Sequence, residues 1–202
     1  MGDSDFYTEG HRALQDDFDT RRLADRLIEV TVHDTFTPND KRFVETAPFF
    51  MLATADADGW PDVSYKGGRP GFARILDDER TLAFPSYDGN GMYRSMGNIA
   101  ANPRVGLLFV DFERSKRLRV KGAATLHREP ELLARFPGAE LVVLVEADKV
   151  FFNCPRYVHR MTIEELSVFA PGDGHEPPQP EWKGRPDFQP YLPGTAAGPA
   201  TT

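Results

Sequence analysis

The chain of 202 residues contains one cysteine, Cys154, so it cannot form a disulfide within itself. A lone thiol is typical of proteins from a reducing compartment, and we expect a cytoplasmic protein. Long apolar runs are also missing, since no stretch approaches the roughly 20 residues of a membrane-spanning helix. Residues 1–19 are polar and acidic and lack the apolar centre of a signal peptide. We therefore expect no membrane partner and no cleaved leader.

Basic residues are fewer than acidic ones. The chain has 24 Lys and Arg against 31 Asp and Glu, which gives a formal net charge of −7. A chain with this balance has no broad basic surface, so we expect no nucleic-acid partner. Basic residues that do cluster are then expected to serve a local purpose.

Several catalytic signatures are absent as well. The five histidines lie far apart and show no metal-ligand spacing, so no metal site is expected. The chain has no dinucleotide fingerprint, no P-loop and no serine-hydrolase elbow. Cys154 lies in the segment N-C-P-R-Y. A lone cysteine is more often a buried, inert thiol than a nucleophile, and we favour that interpretation.

Helical periodicity is strongest near the start of the chain. Apolar residues recur at three- to five-residue steps across residues 8–30 and predict one amphipathic helix there. A second helix is expected to begin with Thr37 as N-cap and Pro38 in its first turn, and to end before Pro48. These patterns predict an N-terminal helical extension over residues 1–36.

Short β-type segments dominate the middle of the chain. The first, Phe49–Ala55, is apolar, and a turn whose final Gly59 accepts a positive φ follows it. Further strands are predicted at 60–66, 73–76, 81–84, 104–112, 117–126 and 141–152, with a short helix at 129–136. Short strands joined by tight turns are typical of an antiparallel barrel. We predict a mainly β domain over residues 37–170, a β-barrel with flanking helices.

The tail, residues 171–202, is rich in Pro and Gly and has no periodicity. Segments of this composition are commonly extended or disordered. We predict an extended arm or partial disorder, with its larger side chains as candidates to anchor an arm on a partner subunit. The candidate anchors are Trp182, Phe188, Tyr191 and Leu192.

A turn-rich loop leads from the predicted strand at 81–84 into a short helix that stops at Asn102. Polar residues and glycine gather just before the helix: Ser86, Asn90, Gly91, Arg94 and Ser95. Hydroxyls, an amide, a guanidinium and backbone N–H groups can converge there on a phosphate. A loop rich in Gly, Asn and Asp is more often only a turn, and the loop by itself leaves both interpretations open.

Three cations alternate along the predicted strand at 117–126. In a strand, Arg117, Arg119 and Lys121 share one face and the apolar residues between them share the other. Such a row repels itself unless an anion lies opposite, although a solvated strand face explains it equally well. Lys66 is similar, because it is either an exposed charge at a strand end or a phosphate ligand beside Gly67.

The order of these motifs resembles one known family. The segments P-F-F-M-L-A-T-A-D-A-D-G-W-P (48–61), G-L-L-F (106–109) and R-L-R-V-K-G (117–122) are similar to those of the pyridoxamine 5'-phosphate oxidase-like flavoproteins, and Arg94 lies eight residues before Asn102. The resemblance covers about residues 40–165. It implies an FMN-binding split barrel of antiparallel Greek-key type, and a homodimer with FMN at the subunit interface.

The resemblance also implies which residues contact FMN. Arg94 and Ser95 would hold the phosphate, and Arg117 would hydrogen-bond the flavin ring, with Arg119 on the same face. The full set of implied contacts is Ser64, Tyr65, Lys66, Gly67, Phe84, Pro85, Ser86, Asn90, Arg94, Ser95, Arg117 and Arg119. No catalytic acid or base is implied.

The chain departs from the family pattern at two places. Many members have a basic pair where this chain has Arg94 and Ser95, and Lys66 or Asn90 is expected to compensate. The tail lacks the Arg and His motif with which the true oxidase binds its substrate phosphate. The resemblance therefore implies an FMN-dependent oxidoreductase acting on another small molecule. The alternatives are a non-catalytic flavin or haem binder, a deazaflavin-dependent reductase, and a cofactor-free interaction domain that would leave the cation row unexplained.

Overall fold

The computed structural model describes residues 6–172 and 174–194. The helices are α1 (Glu9–Asp17), α2 (Arg21–Thr31), α3 (Pro38–Thr46), α4 (Arg94–Ala101) and α5 (Pro130–Leu133), with 3-10 turns at Glu181–Gly184 and Gln189–Tyr191. The strands are β1 (Phe49–Ala55), β2 (Pro61–Gly67), β3 (Arg74–Ile75), β4 (Thr81–Tyr87), β5 (Arg104–Asp111), β6 (Lys116–His127) and β7 (Ala139–Asn153).

The seven strands form one sheet in the order β2-β1-β5-β6-β7-β4-β3, and all of their pairings are antiparallel. The sheet curls on itself. Phe50 of β1 and Phe84 of β4 belong to strands in the second and sixth positions, yet their rings meet at 5.0 Å. Both side chains are fully buried. The predicted mainly β barrel is confirmed, and one continuous core fills it.

Alternation along the strands separates the core from the surface. Leu118 and Val120 of β6 are fully buried. Arg119, which lies between them, and Lys121, which follows Val120, are exposed. The period of two that the sequence predicts for this strand is therefore confirmed. The cation row lies on the outside of the barrel.

The start of α3 joins the N-terminal extension to the barrel. Thr37 caps the helix as predicted, and the carboxylate of the buried Asp40 accepts hydrogen bonds from the Thr37 amide at 2.8 Å and hydroxyl at 2.6 Å. His33 Nε2 lies 2.8 Å from the same carboxylate. The backbone of His33 also pairs with Val150 of β7. Asp40 is tolerated in the interior because these partners replace water around it.

The prediction of one helix over residues 8–30 is wrong. The segment forms two helices that break at Asp19, whose φ is +49°. The helices fold back on each other, and Arg12 of α1 binds Asp25 of α2 at 2.5 Å. Apolar steps of three to five residues do not distinguish one long helix from two short ones. Leu14 of α1 and Leu23 of α2 are both exposed.

Smaller differences concern element ends. The predicted helix at 129–136 shortens to Pro130–Leu133, and the strand predicted at 81–84 extends to Tyr87. The tail, predicted as an extended arm, contains two short 3-10 turns in its described part, and residues 195–202 lie outside the described residues. The domain boundaries at 36/37 and 170/171 stay predictions. No helix in the described part of the chain is long and apolar enough to cross a bilayer.

Two strand glycines provide a matched test of the barrel wall. At Gly122, beside a bulge in β6, an added Cβ would lie 2.1 Å from the Glu146 carbonyl oxygen. Backbone cannot move aside cheaply, so Gly122→Ala should lower the free energy of unfolding by about 1–3 kcal/mol. At Gly106 on β5, the added Cβ would lie 3.8 Å from Ala53 Cβ, which is an ordinary contact.

Urea unfolding checks this prediction. Gly106→Ala should leave the free energy of unfolding unchanged or raise it by up to about 1 kcal/mol, because Ala restricts the unfolded chain more than Gly does. Equal effects of the two substitutions would contradict the close packing of β6 on β7 at Gly122.

Candidate functional site: an anion cavity at the start of α4

A cavity of about 330 Å³, which we call the anion cavity, lies between β2, the end of β4, the loop that follows β4 and the first turn of α4. Six of the residues predicted to contact FMN line it. They are Ser64, Lys66, Ser86, Asn90, Arg94 and Ser95. The structure therefore brings together residues from two separate segments of the chain, 62–66 and 86–96.

Strand β2 supplies one wall of the cavity. Because side chains alternate along a strand, Asp62, Ser64 and Lys66 share a face. Ser64 is in register with Leu52 and Lys66 with Phe50, and both partners on β1 point into the core. The three polar side chains thus stand at the rim of the barrel interior, where β2 is the edge strand.

Helix α4 supplies the opposite wall. It begins at Arg94, and Tyr93 before it has φ +47° and offers no side-chain cap. The first N–H groups of a helix lack intrahelical partners, so this end carries partial positive charge. The buried Ser95 fixes the helix against β2, since its Oγ lies 2.9 Å from Ser64 Oγ. Asn98 Nδ2 donates to Thr54 Oγ1 at 3.0 Å and fixes the same helix to β1.

The loop before α4 has defined contacts at its end. The Tyr93 hydroxyl donates to Glu140 Oε2 of β7 at 2.9 Å, and this hydrogen bond raises the pKa of Tyr93. The Met92 amide donates to Asn90 Oδ1 at 3.0 Å. A register shift between Ser86 and Tyr87 ends the regular part of β4.

Two cations and one carboxylate set the charge of the cavity. Arg94 Nε lies 3.7 Å from Asp62 Oδ2, and its side chain is largely exposed. Burial lowers the pKa of Lys66, against an opposing effect of Asp62. A group with two negative charges would meet both cations there, together with hydroxyl donors and the start of α4.

The other predicted residues lie elsewhere. Phe84 and Pro85 are buried in the barrel wall, and Phe84 packs in the core. Gly67 ends β2 outside the cavity lining, and a Cβ there would lie 2.6 Å from the Tyr65 ring. Tyr65 and Arg119 point to the outside of the barrel. Their contacts with a cofactor stay predictions.

We call that outside surface of β2, β1, β5 and β6 the outer face. One register row across it joins Tyr65, Met51, Leu108 and Arg119, and Tyr65 stacks on the neighbouring Phe49 at 5.2 Å. A second cavity of about 490 Å³ lies over this face, partly covered by Phe6, Tyr7 and His11. The predicted contacts are therefore divided between two sides of the sheet.

Arg117 also lies on the outer face, at the end of the cation row. Its guanidinium donates from Nη2 to the Cys154 carbonyl oxygen at 3.1 Å. Its Nε and the Oδ1 of Asn153, its register partner on β7, are buried without hydrogen-bond partners. Buried polar atoms of this kind cost free energy until a ligand or water satisfies them.

Asp62, Met92 and Tyr93 are among the residues of the anion cavity that sequence reasoning missed. Asp62 was detectable, because it lies two residues before Ser64 and so shares its face. Tyr93 and Met92 carried no such signal, since their placement depends on a loop that contacts β7 only in the folded chain. No cluster of His, Cys, Asp or Glu that suits a metal ion occurs among the described residues.

The fold is an antiparallel split barrel, with a polar cavity at the start of a helix. The sequence matches the family model of pyridoxamine 5'-phosphate oxidase over residues 36–154. That match covers more than half of the chain, so the protein belongs to the pyridoxamine 5'-phosphate oxidase family, as the motifs predicted. No curated protein sequence matches the chain significantly.

Several solved structures resemble the chain. HupZ of Group A Streptococcus is 23% identical, with 63% of this chain and 99% of that chain covered and a TM-score of 0.47. HutZ, the haem storage protein of Vibrio cholerae, is 21% identical, with 58% and 94% covered and a TM-score of 0.42. An FMN-binding protein of Syntrophomonas wolfei is 12% identical, with 70% and 97% covered and a TM-score of 0.43.

Lys66 should have opposite effects on stability and on anion binding. Because folding lowers its pKa, the charged amine destabilises the folded protein at pH 7, and this effect fades only as the pH rises toward the ordinary lysine range. Lys66→Met should therefore raise the free energy of unfolding by a few tenths of a kcal/mol while weakening binding of inorganic phosphate about tenfold.

Unfolding in urea and calorimetric titration with phosphate measure the two effects. Lys116→Met, which removes an exposed lysine at the start of β6 outside the anion cavity, is the control and should change neither quantity. A loss of stability in Lys66→Met with phosphate affinity intact would contradict the assignment.

Proposed function

We propose that the protein binds FMN and acts as an oxidoreductase on a small molecule. One observation carries this proposal: Lys66, Arg94 and three serine hydroxyls converge at the uncapped start of α4. An FMN phosphate carries roughly −1.5 to −2 charges near neutral pH, as other phosphate monoesters do. Cations, hydroxyl donors and helix N–H groups are the partners that such a group requires.

The donor set fits a phosphate better than it fits haem. Ser86 offers an O–H donor, as does one hydroxyl of the Ser64–Ser95 pair, since the other donates within that pair. Lys66 offers an ammonium and Arg94 a planar guanidinium. The residues that line this cavity include neither His nor Cys, which are common axial ligands of haem iron. A deazaflavin carries the same ribityl-phosphate portion and remains the second candidate.

When bound, FMN would supply hydride transfer at its ring, and the residues of this chain would bind and orient it. Lys66 and Arg94 would neutralise the phosphate. Arg117 would donate from its unsatisfied Nε to an acceptor on the ring, where a guanidinium favours an electron-rich reduced flavin. We assign no residue as catalytic acid or base.

We further propose a homodimer with FMN at the subunit interface. The anion cavity and Arg117 lie on opposite sides of the sheet, so a ligand that touches both must pass the edge strand β2 or lie between two protomers. The outer face exposes Val63 by 65% and Tyr65 by 61%, as a contact surface would. Arg119 and Lys121 have no carboxylate partner among the described residues.

The phosphate assignment is tested by Arg94→Ala. Loss of one charged hydrogen-bonding partner should cost about 1.5–3 kcal/mol, which weakens FMN binding about tenfold to a hundredfold with little change in fold stability. Arg104→Ala is the matched control, because Arg104 is exposed at the start of β5 away from the cavity and has no ion pair among the described residues.

Titration with FMN under fluorescence detection measures both affinities, and an absorbance spectrum of the purified wild-type protein precedes it. Flavin bands support the proposal, and a single band at shorter wavelength indicates deazaflavin. A colourless wild-type protein that also fails to bind added FMN contradicts it. Equal FMN affinity for Arg94→Ala and wild type would show that the phosphate lies elsewhere.

The dimer proposal is tested by Val63→Asp. A carboxylate buried without a partner in an interface costs about 3–5 kcal/mol, so the dimer should weaken more than about a hundredfold. Sedimentation velocity at micromolar concentration should then give a folded monomer. Asn39→Asp, which adds the same charge on the exposed side of α3, should leave the dimer intact. A wild-type monomer at these concentrations overturns the dimer proposal.

A further inference from the structure

The described part of the C-terminal arm lies against its own subunit. Ala170 is buried, and Pro171 packs so closely on Gly138 that a Cβ there would lie 2.9 Å from the proline ring. The same point is 3.9 Å from the ring of Tyr87, at the end of β4. The arm therefore starts beside the loop that leads from β4 to the anion cavity.

Farther along, the arm contacts that loop directly. Lys183 Nζ forms an ion pair with Asp88 Oδ2, 95 residues away in sequence. The Lys183 side chain is only 15% exposed, whereas that of Asp88 is 61% exposed. Lys183 is held by its surroundings, so it can restrain the more exposed Asp88.

Asp88 is the first residue of the loop 88–93. Gly89 and Asn90 directly after it line the anion cavity, and Arg94 follows the loop as the first residue of α4. The other end of the loop is held by the hydrogen bond from Tyr93 to Glu140. Both ends are thus tied to other segments, one to β7 and one to the arm.

Contacts within the arm keep Lys183 in place. It lies in the 3-10 turn Glu181–Gly184, and the ring of the adjacent Trp182 meets that of Phe188 edge to face at 5.7 Å. Arg185 binds Asp187 at 2.7 Å and covers the Phe188 ring. Because the turn is packed on itself, it presents Lys183 with less loss of side-chain freedom than a flexible tail would.

We propose that Lys183 is a positioning residue for the cofactor: through Asp88 it holds loop 88–93 over the bound phosphate and slows release of FMN. This inference rests on the proposed FMN site and adds to it a residue from the arm. Lys183 does not touch the phosphate; it acts by restraining the loop that does.

The first measurement is the rate at which FMN leaves the full-length protein, followed by flavin fluorescence after rapid dilution. Lys183→Met keeps the length of the side chain and removes its charge. The loss of this ion pair, in which Asp88 is exposed and Lys183 is not, should speed release about two- to fivefold. Lys116→Met removes an exposed cation of β6 that contacts neither the arm nor loop 88–93, and it should leave the rate unchanged.

Exchange of the two charges separates the ion pair from a general effect of charge. Asp88→Lys alone should speed release, and the double variant with Lys183→Asp should return the rate to within about twofold of wild type. The ratio of rates between Lys183→Met and wild type should also fall toward one as salt rises, because the Debye length shrinks from about 10 Å at 0.1 M to about 3 Å at 1 M.

A flavin-free measurement reports on the arm itself. The two tryptophans are Trp60, which is 76% exposed, and Trp182, which adjoins Lys183. In a Trp60→Phe background, Lys183→Met should make Trp182 easier to quench with acrylamide. Unchanged quenching, equal release rates, or a charge exchange that restores nothing would each overturn the inference while leaving the FMN site intact. A wild-type protein that binds no FMN would overturn both the inference about Lys183 and the proposed FMN site. The wild-type protein is therefore measured before any variant.

Discussion

Closure of the sheet around Phe50 and Phe84 is the constraint on which the rest of the structure depends. Strands β2 and β4 occupy the first and sixth positions of the sheet, and in a flat sheet their side chains would be far apart. The ring contact between β1 and β4 brings these two ends together. Ser64 and Lys66 of β2 then face the same cavity as Ser86 of β4. The hydrophobic core thus determines the geometry of a polar site that contributes little to the core itself.

Two features of the anion cavity disfavour folding and favour a bound anion. Lys66 is held where burial disfavours its charge, and the first turn of α4 has no side-chain cap. Each feature costs folding free energy and each favours a bound anion, which relieves both. The loop between β4 and α4 is meanwhile restrained from outside, by Glu140 on β7 and by Lys183 in the arm. Lys66 and the start of α4 therefore act in opposite directions on stability and on anion binding.

Much of the fold was accessible from the sequence because it depends on local periodicity, and six of the twelve residues predicted to contact FMN line one cavity. Side-chain alternation along β6 predicted that Arg117 and Arg119 face away from the core. The order of the motifs predicted the family, which the family-model match over residues 36–154 confirms. The break at Asp19 was not accessible, because an apolar pattern does not state where a helix ends. Nor was the ion pair of Asp62 with Arg94, which joins a strand to a helix 32 positions later.

By itself the sequence determined the strands, the α3 cap at Thr37, the family and the set of polar residues that suits a phosphate. These follow from backbone preferences and from side-chain alternation, which act over a few residues. Only the tertiary structure decided that six of those polar residues share one cavity while Tyr65, Arg117 and Arg119 lie on the other side of the sheet. It also decided that the described arm returns to its own subunit at Asp88. The reason is that curling of the sheet and docking of the tail depend on contacts between residues far apart in the chain, which no local pattern encodes.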